Sequence, residues 1–204
     1  MTEKKRLSQV YFDKANEQEA FREYAPFRYG RVALESEARA RIDALRGRLD
    51  PIFVDIVDGG VEAAVVEAEA AVERSARSTI VREQHDYRAS INTADCLSVS
   101  RVSWAATADP IRMKFSLERI LEGDVFIYND VYGSAGTIGH LPDYCVVTPI
   151  FWESRLIAFA QIFGHVNDVG GRVAGSWPNT STSIFEEGTI CPPVKLYERG
   201  ALQE

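Results

Sequence analysis

Apolar residues recur at two different periods along this chain, and the change of period divides it. Between Asp58 and Ser78, Val61, Val65, Ala68, Val72 and Ala76 return every three or four positions, with Glu62, Glu67, Glu69, Glu73 and Arg74 between them. That spacing predicts an amphipathic helix opening at Asp58-Gly-Gly, its charged side a solvated or subunit-facing surface. Ahead of it, residues 33–49 are rich in helix formers, and Pro51 is expected to end that helix. Residues 1 to about 30 are polar with scattered aromatics (Tyr11, Phe12, Phe21, Tyr24, Phe27, Tyr29), too aromatic for a purely disordered tail. Residues 1–50 therefore read as an arm and helix that dock onto another subunit, and 51–204 as the main domain.

From Ile80 the period shifts towards two. Tyr87–Ala94 and Leu97–Ala105 read as strands around a turn at Asp95-Cys96. Asp109-Pro110 signals a turn, and residues 111–121 a short helix closed by Glu122-Gly-Asp124. Val125–Tyr128 is a short buried strand. Residues 144–152 and 156–163 then form a strand hairpin about Glu153-Ser-Arg155. The fold class that follows is α+β, with N-terminal helices before a β-rich region.

The hairpin matters because of what flanks it. His140-Leu-Pro-Asp143 precedes its first strand, and His165-Val-Asn-Asp168 follows its second. The start of one hairpin strand lies beside the end of the next, so both His-x-x-Asp pairs reach one end of the sheet. Imidazole nitrogen and carboxylate oxygen form a ligand set for a divalent cation such as Zn, Mn or Fe. The plainer alternative is two unrelated histidines, each hydrogen-bonded in a core or loop. Arg82, Glu83, Asp86 and Arg88 flank the first strand, and read as a salt-bridged surface or as part of a substrate site. The loop from Val131 to Gly139 has three glycines but no Gly-Lys-Ser/Thr, so it is not a P-loop. The long loop 172–182, with Gly175-Ser-Trp-Pro178, could cover a pocket.

Composition narrows the class. The net charge of −7 argues against nucleic acid as a partner, which calls for clustered Lys and Arg. No apolar run has the length of a membrane span, and the N-terminus lacks an apolar signal core. A cytoplasmic location is the expectation. Cys96, Cys145 and Cys191 are odd in number and far apart, so they read as reduced thiols rather than a disulfide framework.

Several motifs in order then carry a resemblance: Gly123-Asp-Val-Phe-Ile-Tyr-Asn-Asp130, His140-Leu-Pro-Asp143, Val147-Thr-Pro-Ile-Phe-Trp152, His165-Val-Asn-Asp-Val-Gly-Gly171, Ile184-Phe-Glu-Glu-Gly188 and Pro192-Pro-Val-Lys-Leu196. Residues from about 50 to 200 resemble the N-terminal part of the hydantoinase B family. That family includes B-type subunits of N-methylhydantoinase, the matching half of ATP-dependent 5-oxoprolinase, and subunits of acetone and acetophenone carboxylases. The resemblance implies His140, Asp143 and His165 as ligands of a divalent metal, and Asp168 and Asp130 as neighbouring catalytic candidates. Two departures stand out. Val131 replaces the family's usual Pro, with a longer Gly-rich link to His140, and family members run to several hundred residues.

The resemblance further implies a multi-subunit enzyme, with ATP bound on a hydantoinase A-type partner subunit. The first expectation is a subunit of a ketone carboxylase of the acetophenone or acetone type, handling a phosphorylated enol. The rivals are a subunit of a cyclic-amide hydrolase of the hydantoinase or 5-oxoprolinase type, and a structural subunit without chemistry of its own.

Overall fold

The computed structural model describes residues 40, 43–45, 48–96, 98–100, 108–134 and 137–204. The aromatic arm and most of the helix expected over 33–49 lie outside them. So does the strand expected over Leu97–Ala105, except residues 98–100, where Ser98 bridges Asn92. The chain forms two compact units, Met1–Ile56 and Val57–Glu204. None of the described helices is long and apolar enough to cross a membrane.

Helix α1 spans Pro51–Ser75. It begins ahead of the expected start at Asp58. Pro51 opens this helix, because a first-turn residue has no intrahelical acceptor for an N–H. Asp50 Oδ1 accepts from the Ile52 N–H at 2.9 Å. Gly59 and Gly60 lie inside the helix, at a cost of about 1 kcal/mol each relative to Ala. Helix α2, Thr79–Gln84, is capped by Ser78 and stops where His85 turns left-handed (φ 56°).

Six strands follow: β1 Tyr87–Thr93, β2 Val125–Tyr128, β3 Asp143–Trp152, β4 Arg155–His165, β5 Val194–Glu198 and β6 Ala201–Leu202. They form one sheet in the order β1-β4-β3-β2-β5-β6, every neighbouring pair antiparallel. The architecture is the expected mixture of helix and antiparallel sheet. The β3–β4 hairpin closes through Glu153 and Ser154, both at positive φ (47° and 63°), a turn whose twist matches its strands. The helix expected over 111–121 is shorter. Helix α3, Asp109–Lys114, stops as Phe115 becomes extended, and a 3-10 turn follows at Leu117–Arg119. That break lets the Phe115 ring lie against Phe126, centroids 5.0 Å apart.

Cross-strand partners share a face, so register identifies the core. Phe126 and Tyr128 pair with Val147 and Cys145, and Val147 pairs with Gln161. Each of these is buried, together with Phe159, Ile111 and Ile120. Burial pushes the Cys145 thiol up to about 12, which suits an inert core cysteine. Asp124, fully buried where β2 begins, receives the Leu121 N–H (2.8 Å), the Arg199 N–H (3.0 Å) and Lys195 Nζ (3.0 Å). Carried along β3 and β4, the same alternation brings Asp143 and His165 onto the core face at one end of the sheet.

Candidate metal centre

Asp143 begins β3 and His165 ends β4, and the two are paired in register. Backbone contacts hold His165 on both sides: its N–H donates to the Asp86 carbonyl (3.1 Å), and its own carbonyl accepts from Ser78 Oγ (2.7 Å). His140 sits on the loop leading into β3. Buried Asn129 pins that loop, donating to the carbonyls of Leu141 (2.9 Å) and Thr189 (3.0 Å) while accepting from the Cys191 N–H (2.6 Å). Leu141 is fully buried beside it, and Val166 N–H closes onto the Pro142 carbonyl at 2.9 Å.

These anchors bring three side chains together. His140 Nε2 lies 3.5 Å from Asp143 Oδ2, and His165 Nδ1 lies 3.5 Å from Asp143 Oδ1. One ligand atom from each of the three falls within 4.8 Å of the others. His140 Nδ1, His165 Nδ1 and Asp143 Oδ1 are buried without a hydrogen-bond partner. Buried polar atoms left unpaired are costly, and three of them on one cluster fit a cation better than a dry core. Two imidazoles and a carboxylate suit Zn, Mn or Fe.

The electrostatics agree with that fit. Burial lowers the pKa of His140, outweighing the upward pull of Asp86 and Glu187, and so favours the neutral, ligating imidazole. Burial raises Asp143 to about 6, with Asp86 adding repulsion and His165 working against both. A carboxylate disfavoured in its ionised form is one that a cation would stabilise.

Two further groups reach this cluster that sequence patterning placed only loosely. Asp86 Oδ2 stands 3.3 Å from His165 Nδ1. Its position follows from the β1–β4 register, where Tyr87 lies opposite Gly164. Gly164 itself permits the approach of α2, since a Cβ there would meet Val81 Cγ2 at 3.3 Å. Trp177 tilts over the His140 ring (centroids 4.5 Å, 59°) and runs nearly parallel to His165 (6.2 Å, 11°). A cleft of about 230 Å³ opens there, lined by Gly139, His140, Ser176, Trp177, Pro178 and Glu187. The 172–182 loop thus supplies one wall of a pocket.

The remaining candidates lie in their own turns. Asp168 Oδ1 accepts from Ser176 Oγ and the Gly170 N–H (both 2.7 Å), and its Oδ2 from the Gly175 N–H (2.9 Å). Those bonds, Ser176 first, hold its pKa below the usual carboxylate range. Asp130 Oδ1 accepts from the N–H groups of Tyr132 (3.0 Å) and Gly133 (2.9 Å).

Residues 50–204 match the Hydantoinase B/oxoprolinase family. The chain belongs to that family. It is 29% identical over 185 residues to 5-oxoprolinase 1 of Arabidopsis thaliana, covering 87% of this chain and 14% of that protein. It is 29% identical over 167 residues to the caprolactamase subunit beta of Pseudomonas jessenii, covering 76% of this chain and 28% of that one. The crystal structure of the ATP-dependent caprolactamase superposes with a TM-score of 0.65, at 28% identity, over 76% of this chain and 28% of that chain. The acetophenone carboxylase delta subunit of Aromatoleum aromaticum is 34% identical over 104 residues, 48% of this chain and 15% of that protein. The hydantoinase B relatives are thus named as carboxylase subunits and as cyclic-amide hydrolases. This chain spans less than a third of the length of each of these three relatives.

Proposed function

We propose that this hydantoinase B-family chain is a component of an ATP-dependent multi-subunit enzyme, acting on the carbonyl group of a small molecule at a divalent metal held by His140, Asp143 and His165. The observation that carries the reading is the trio itself, with three buried ligand atoms left unpaired. A metal bound there supplies Lewis-acid polarisation of a carbonyl oxygen. His140, kept neutral by burial, and Asp143, poised to lose its proton, present the lone pairs. Asp86, half-exposed beside His165, offers an additional oxygen able to hold a proton at the mouth of the site. Asp130 shapes the turn that leads from β2 towards His140. The cleft beside His140, walled by Trp177 and Glu187, would receive the substrate. ATP would bind on a partner of the hydantoinase A type, with activation of the substrate oxygen preceding the step at this chain.

Two substrate classes fit. Cyclic-amide opening is favoured by the breadth of the match, since the 5-oxoprolinase alignment covers 87% of the chain. Ketone carboxylation through a phosphorylated enol is favoured by the higher identity, 34%, over the stretch shared with the acetophenone carboxylase subunit. Both are tested by ATP turnover of the chain with its partner subunits, measured with a cyclic amide alone and with a ketone plus bicarbonate. Turnover dependent on bicarbonate selects the carboxylase, and turnover with the cyclic amide alone selects the hydrolase. Full turnover by His165→Ala with either substrate would remove the metal centre from the mechanism.

A further inference from the structure

The loop that covers the trio is tied down by a knot of polar contacts centred on two residues. Ser176 is 3% exposed, and its Oγ accepts from the N–H groups of Val169 (2.9 Å) and Gly171 (3.0 Å) while donating to Asp168 Oδ1 (2.7 Å). Asp168 also gathers Gly170 and Gly175. The backbone is left-handed at both Gly175 (φ 80°) and Ser176 (φ 54°). Only a glycine adopts that conformation freely, so Ser176 keeps it because the knot over-determines it. Two left-handed residues in succession reverse the chain immediately before Trp177. From there its ring reaches His140 and His165. The far side of the indole is open, 61% of the residue being exposed, so little else holds it in place.

We propose that Asp168 is a positioning residue: acting through Ser176, it locks the loop that lays Trp177 across His140 and His165, and this cover slows exchange of the ion held beneath. The inference rests on the metal reading of the trio. It gives Asp168 a task without direct contact with ion or substrate, since its oxygens are engaged within the loop. It also makes Trp177 the residue that governs access to the site from the cleft.

The test uses the full chain loaded with Zn2+ as probe, comparing wild type, Asp168→Ala, Asp168→Asn, Trp177→Ala and Trp177→Phe. Zn2+ release to a chromophoric chelator is followed in time, with bound metal counted beforehand. In the metal-free proteins, the ring C–H resonances of the three histidines report whether an indole still lies over His140. Removing either Trp177 or Asp168 to Ala is expected to speed release by about 10–100-fold, the range typical of residues that support metal ligands. Both variants should also move the His140 resonance and leave that of His85 in place. Trp177→Phe should retain most of the protection. Should Asp168→Ala fail to fold, Asp168→Asn carries the comparison. Zn2+ bound and released at the wild-type rate by every variant would overturn the cover while leaving the metal site intact. A wild type that binds no Zn2+ would overturn the metal reading and the cover together. A shift in Trp177→Ala but not in the Asp168 variants would overturn the positioning role of Asp168 alone.

Discussion

Asp143 Oδ1 and His165 Nδ1 face each other at 3.5 Å across the β3–β4 ladder, neither making a hydrogen bond. The first residue of one strand and the last of the next are thus aimed at a common point. The expectation for this pair is direct: wild-type chain takes up about one divalent ion, and His165→Ala takes up none. Zn2+ at a hundred times its dissociation constant should stabilise the wild type by about 2.7 kcal/mol and leave His165→Ala unchanged. Elemental analysis with thermal unfolding checks both.

Asn129 links the His140 loop to the segment around Cys191 through three hydrogen bonds made in a fully buried position. Asn129→Ala leaves two carbonyls and one N–H without partners, and should cost about 2–3 kcal/mol of stability. Because Leu141 is one of those partners, metal uptake should weaken with it. Urea unfolding beside a Zn2+ titration would show whether the two losses go together. Weakened folding with full affinity would uncouple Asn129 from the site.

Gly171 lets the loop after His165 pass close to the strand-like segment carrying Glu187. A Cβ there would stand 2.6 Å from the Glu187 carbonyl oxygen and 3.0 Å from Ser176 Cα. Gly171→Ala should therefore destabilise by about 1–3 kcal/mol through forced separation. It should also loosen the Trp177 cover, seen as a change in the His140 resonance. An unchanged melting temperature would show that the segments part without strain.

The Asp124–Lys195 pair gives a pH signature away from the site. Burial works to lower the Lys195 pKa, but bonds to Glu198 and Asp124 overcome it and raise the value above 10.5. A folded pKa above the unfolded one means the contribution is fully present below pH 10.5 and fades as pH rises through the folded value. Lys195→Met should show a shallower loss of stability in that alkaline window. Asp124→Ala, which strands Lys195, Leu121 N–H and Arg199 N–H, should cost about 3–5 kcal/mol at neutral pH.

Much of this was legible in the chain itself. The β3–β4 hairpin follows from alternation on either side of a two-residue turn, and that alternation alone brings His140, Asp143 and His165 to one end of a sheet. Local chemistry was ambiguous at Pro51, where a residue barred from helix interiors serves equally as a stop and as a first residue. Gly59 and Gly60 looked like a boundary because their helical cost is local, whereas the helix that absorbs it is long. Phe115 broke the helix expected over 111–121 because its ring found Phe126 on a distant strand.

What the sequence by itself determined is therefore the ligand set and its ordering along one hairpin, since residue type and period are local properties. What only tertiary structure decided is the rest of the site. Asp86 comes to His165 because β1 joins the far edge of β4 in one register, and a slip of one residue would send it to the opposite face. Trp177 comes to His140 because left-handed turns at Gly175 and Ser176, fixed by Asp168, redirect the loop. Both contacts join segments whose approach depends on backbone pairing and loop packing, and neither leaves a periodic signal in the order of residues.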